Sequence, residues 1–116
     1  MVKFYLVRNS DNKITKFYAE GHSGYSEIGS DIVYAAISAL SQNTVYGIVE
    51  YLKIDAKYFI GNEGYLALDL NGIELGNKRE LVDTLLETMA ITLKNISQEY
   101  PKNLKLIEKE GKQCLR

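Results

Sequence analysis

Tryptophan is absent, and histidine, cysteine and proline each occur once in the 116 residues. A single cysteine excludes an internal disulfide, and one Cys with one His cannot furnish a zinc site from those ligands alone. Any imidazole chemistry therefore falls to His22. Neither sign of charge is in excess: 14 basic and 15 acidic side chains leave a net charge of -1. The whole-chain balance thus offers no basic footprint for nucleic acid and no polybasic lure for a membrane surface. No apolar run approaches the roughly 18 residues that span a bilayer. Lys3, Arg8 and Asp11 interrupt the start, where a signal-peptide core would lie. Without disulfides the expected setting is a reducing one, the cytoplasm. With no linker, internal repeat or low-complexity tract, residues 1–116 are expected to form one domain.

What is present is an ordinary folded composition, 46% apolar with nine tyrosines. Val2, Phe4 and Leu6 alternate with Lys3 and Tyr5, which predicts a strand over Val2 to Arg8. Asn9 to Asn12 carries turn chemistry, and Ile14 to Glu20 reads as the returning strand. A second hairpin is predicted from Asp55 to Ile60 and Tyr65 to Leu70 around Gly61-Asn62-Glu63-Gly64, with Leu66, Leu68 and Leu70 on one face. A last strand is expected over Leu104 to Glu108. Two segments have helical spacing. In the first, Val33, Ile37, Leu40, Thr44 and Ile48 recur every three or four residues, with Ser30 or Asp31 placed to cap the start. In the second, Val82, Leu85, Met89, Leu93, Ile96 and Tyr100 form the expected buried stripe. Asn77 and Glu80 resemble a capping box there, and Pro101 ends the helix. The order ββαββαβ predicts an α+β two-layer fold, two amphipathic helices on a mixed sheet of about five strands. The opening hairpin, before any helix, counts against a ferredoxin-like topology.

The informative stretch runs from Gly21 to Val33. It leaves a strand, passes Gly21, Gly24 and Gly29, and enters a helix. Glycines permit positive φ and close backbone approach. A helix N-terminus offers unpaired N–H groups and the positive end of a dipole, which suit an oxyanion or a thiolate. The glycine spacing is no nucleotide fingerprint, since no Gly-Lys-Ser follows.

Gly21-His22-Ser23-Gly24, then Gly29, then Asp31-Ile32-Val33-x-Ala35-Ala36-x-Ser38, resembles the bacterial ribosomal-processing cysteine protease family Prp, and the resemblance extends to Glu99-Tyr100-Pro101. The resemblance implies a cytoplasmic, homodimeric endopeptidase without metal or organic cofactor. Its substrate would be the twenty-seventh protein of the large ribosomal subunit, from which it removes an N-terminal extension ending in an aromatic-rich segment. It also implies a Cys-His dyad, with His22 as base and a cysteine directly after Asp-Ile-Val, and a glycine loop (Gly21, Ser23, Gly24, Tyr25 and Gly29) that closes over substrate.

This chain departs from the pattern at the nucleophile: Tyr34 follows Asp31-Ile32-Val33. A phenol titrates near pH ~10 and is a poor acyl-transfer nucleophile near neutrality. It is also larger than a thiol and tends to fill the cleft where a scissile peptide must lie. The chain as it stands is therefore expected not to turn over. Two readings stay open, a protease scaffold silenced at position 34 and a non-catalytic protein that binds the same ribosomal extension.

The neighbouring residues have plainer readings. Asp31 complements the helix dipole and acts as support if it also orients His22. Ser38 shares a helix face with Tyr34 and reads as a small packing residue beside the site. Cys114 lies near the end of the chain, without a supporting shell. Most tyrosines read as rim residues with an apolar body and a wet tip; Tyr25, in the loop, is the one placed to touch an aromatic substrate.

Overall fold

In the computed structural model, residues 1–21, 30–61 and 65–111 are described, Ser30 by its backbone alone. The elements follow the predicted order: β1 (Val2–Arg8), β2 (Ile14–Glu20), α1 (Ser30–Tyr46), β3 (Lys57–Ile60), β4 (Leu66–Asp69), α2 (Arg79–Glu99) and β5 (Leu104–Glu110). The strands form one sheet in the order β3-β4-β2-β1-β5. β5 runs parallel to β1 and every other pair is antiparallel, so the sheet is mixed.

The period-two pattern decides which face is buried. Phe4 lies opposite Ala19, Leu6 opposite Phe17, and Phe17 opposite Leu68, all on the face that the helices cover. The rings of Phe4 and Phe17 stack at 5.6 Å. α1 packs over β4 and α2 over β2 and β5, and the two helices also touch each other. Asn9 holds the first turn, its Oδ1 accepting from the N–H groups of Asp11 and Lys13 at 2.9 and 3.0 Å.

The helices differ from the sequence reading in instructive ways. On α2 the buried residues are Val82, Leu86, Met89, Ala90 and Leu93. Leu85 and Ile96 are only partly covered, and Tyr100 is exposed beyond the helix end. The single-stripe expectation fails because α2 faces two neighbours, the sheet and α1. Leu85 turns toward the end of α1 and lies 3.1 Å from where a side chain on Gly47, the residue just after that helix, would begin. The capping box is also absent. Gly76–Lys78 forms a 3₁₀ turn, and Lys78 precedes α2 with no side-chain cap. Asp31 is not the cap of α1 but an exposed acid in its first turn. The stripe expected on α1 is buried or partly buried throughout.

Boundaries move slightly. β3 begins at Lys57 because the chain turns at Asp55, with the Ala56 N–H bonding the Ile54 carbonyl at 2.9 Å. β4 spans Leu66–Asp69, and β5 runs on to Glu110 beside Arg8. After Tyr46 the helix widens into a π turn, Gly47–Tyr51, closed by the Leu52 N–H on the Gly47 carbonyl at 2.9 Å. This extension gives a helical stretch, Asp31–Tyr51, of 21 residues and mean hydropathy 1.3, long and apolar enough to cross a membrane by length and composition. That corrects the expectation that no segment reaches that length. In this fold Val33, Ile37, Val45 and Ile48 of the stretch lie in the core.

Candidate functional site

β2 delivers the chain to Gly21, and α1 begins at Ser30, so the informative stretch lies where a central strand ends and a helix starts. Gly21 has φ +92°, and a Cβ there would lie 2.5 Å from the Met1 carbonyl oxygen. Only glycine meets both demands without strain. Of the other predicted loop residues, His22, Ser23, Gly24, Tyr25 and Gly29 lie outside the described residues. So does Cys114.

A cleft of about 160 Å³ opens at this junction. Its floor is apolar: Val2 of β1, Ala19 of β2, Ile37 of α1 and Leu66 of β4. Tyr34 and Gly21 are both part of its lining. Tyr34 is half-buried and packs against the core from the second turn of α1. A large ring therefore occupies the wall where the family resemblance places a thiol.

Ser38 lines the same cleft one turn further along α1. Its Oγ accepts a hydrogen bond from Gln42 Nε2 at 2.8 Å, so it is part of a polar rim rather than a plain packing residue. Ser41 is buried and spends its hydroxyl on the Ile37 carbonyl at 2.8 Å. Asp31 is exposed and is not among the residues lining the cleft.

Sequence reasoning missed the far wall. Gly61 and Tyr65, from the ends of the second hairpin, complete the cleft. Tyr65 stands 56% exposed. The signal was the predicted second hairpin, whose turn begins at Gly61 and whose return strand begins at Tyr65; in the structure the Gly61 N–H donates to the Tyr65 carbonyl at 2.9 Å. That β4 sits beside β2 follows only from the sheet order, which alternation within one strand does not reveal.

Residues 1–105 match the sequence profile of the family described as cysteine protease Prp. The ribosomal processing cysteine protease Prp of Staphylococcus aureus is 28% identical over 109 residues, covering 91% of this chain and 97% of that protein. Its Bacillus subtilis counterpart is 25% identical over 107 residues, covering 91% and 96%. Among solved structures, the essential ribosomal processing protease Prp from S. aureus in complex with a substrate peptide superposes with a TM-score of 0.79. It is 24% identical and covers 94% of this chain and 100% of that one.

Proposed function

The chain belongs to the cysteine protease Prp family, and from that premise we propose that its cleft receives the N-terminal extension of the large-subunit ribosomal protein twenty-seven and holds it uncut. The observation that carries the reading is Tyr34. Its ring lines the cleft at the position that follows Asp31-Ile32-Val33, where the family motif carries the nucleophilic cysteine. The apolar floor of Val2, Ala19, Ile37 and Leu66 suits the aromatic-rich end of such an extension.

The scaffold is that of a peptidase, and the proposal extends to the chemistry a cysteine at position 34 performs. His22 takes the thiol proton. The thiolate attacks the scissile carbonyl carbon, forming a C–S bond while N–H groups at the start of α1 receive the oxyanion. The C–N bond then breaks, and the amine leaves with the proton that His22 held. Water hydrolyses the thioester and restores the thiol. A tyrosine at position 34 supplies no comparable nucleophile near neutral pH, so with Tyr34 the sequence stops at binding. The cytoplasm and a homodimeric state belong to the same reading.

Calorimetric titration with a synthetic peptide spanning the extension and the first mature residues tests this. The expected result is saturable binding with the peptide recovered intact. Peptide recovered in two pieces, or no heat of binding, contradicts it.

A further inference from the structure

The helical layer carries a second concavity that cleft chemistry does not use. It opens where α1 runs into the π turn Gly47–Tyr51, a groove of about 550 Å³ lined by Asn43, Tyr46, Gly47, Glu50, Tyr51 and Leu85. Gly47 leaves room for its floor, since a Cβ there would come within 3.1 Å of Leu85 Cδ1. The apolar groups around it stay in solvent. Tyr51 is 84% exposed, and no large apolar side chain among the described residues is more so. Tyr46 is exposed too, as is Leu81, one turn before Leu85 on α2. A π turn departs from α-helical bonding, and such turns collect at functional sites.

Charge sets this part of the molecule apart. Residues 30–56 and 71–100, the helical layer and its connections, carry eight acids against four bases. The other described residues carry five acids against eight bases. Glu50 lines the groove and Glu80 adjoins Leu81, and neither forms an ion pair among the described residues. Of the bases nearest in the chain, Lys78 gives its Nζ to the Leu52 carbonyl at 2.6 Å, and Lys53 follows the π turn with φ +60°. Two tyrosine rings and one carboxylate thus border the same space. That combination takes a guanidinium or ammonium group, the rings under its charge and the carboxylate at its N–H donors.

We propose that this groove docks a basic segment in the mature part of the ribosomal protein whose extension the cleft receives, an inference that rests on the function proposed above. A protein that packs against ribosomal RNA carries Lys and Arg in excess to meet the phosphates. The acid-rich helical layer attracts such a body, and the groove seats one of its basic side chains on Tyr46, Tyr51 and Glu50. One substrate chain can hold both sites. Gln42 lines the cleft, and Asn43, the next residue of α1, lines the groove. From Tyr34 to Tyr46 the helix climbs about 18 Å, the reach of about six extended residues. A substrate that stops short of that length past the scissile bond engages the cleft alone.

The test compares two ligands by calorimetric titration at low and at high salt. One is a peptide that ends about three residues past the scissile bond, too short to reach the groove; the other is the full-length extended ribosomal protein. The full-length protein is expected to bind at least about tenfold tighter, by a margin that shrinks as salt rises. Tyr51→Ala and Glu50→Lys, checked for folding by circular dichroism, should each remove most of that margin and leave the affinity for the short peptide unchanged. Equal affinity for the two ligands, variants that keep the margin, or variants that weaken the short peptide as much as the full-length protein overturn the docking site and leave the cleft reading standing. Full-length binding that Tyr51→Ala abolishes, with no heat from the short peptide, upholds the groove and contradicts the cleft reading. No heat from either ligand overturns both. A dimer by sedimentation velocity that Tyr51→Asp splits into monomers also overturns the proposal, since a second copy would then fill the groove.

Discussion

Tyr34 and Gly21 show how far single residues were legible. The departure at position 34 is visible against the motif Asp31-Ile32-Val33, and the structure adds that the ring is half-buried in the cleft wall. Gly21 was readable as a loop glycine, but its positive φ and its closeness to Met1 depend on β1 pairing with β2. Gly21→Ala should therefore cost about 1–3 kcal/mol in denaturant unfolding, through strain and the clash with the Met1 carbonyl. An unchanged midpoint contradicts that account. Ser38 was harder to read. Its partner Gln42 is one helical turn away, but an i to i+4 polar pair is common on any exposed helix face and does not by itself announce a cleft.

At the scale of elements, alternation and turn chemistry located five strands and two helices, because each strand has a wet and a dry face. α2 was the weaker reading, since a helix with two neighbours buries a wider arc than one stripe predicts. Leu93, fully buried on α2, should cost about 2–5 kcal/mol when replaced by Ala. Leu81→Ala, at an exposed position of the same helix, should stay within ~0.5 kcal/mol. Equal losses at the two positions contradict the burial pattern.

Arg8 ties three elements together. It donates from Nη1 and Nη2 to the Glu87 carboxylate of α2 at 2.7 and 3.0 Å, and from Nε to Glu108 of β5 at 2.9 Å. Its side chain is only 18% exposed, whereas both acids are more open to solvent. Arg8→Lys loses the two-pronged geometry and should cost about 1 kcal/mol after screening by water is allowed for. The bonds to Glu87, foremost, raise the guanidinium pKa. A raised pKa stabilises the fold below the unfolded value and fades only above it, so this contribution should hold constant from about pH 7 to pH 10. Denaturant midpoints of Arg8→Lys and wild type that converge across that range contradict the assignment.

At the scale of the whole molecule, two helices close one face of a five-stranded mixed sheet, and the site forms where β2 ends and α1 begins. The layer order was legible because element order and amphipathicity constrain it. The strand order was not, and with it went the far wall of the cleft. That wall arises from a pairing distant in sequence, β2 with β4, which sets Tyr18 beside Ala67. The central claim concerns what the assembled cleft is for. The most direct measurement is a time course of Tyr34→Cys, wild type and the Tyr34→Cys/His22→Ala pair on the full-length extended ribosomal protein, followed by intact-mass spectrometry. The account predicts that Tyr34→Cys alone releases the extension while the other two leave the protein at full mass. Release by the wild type, or a Tyr34→Cys form that binds the substrate and never cuts it, contradicts the account.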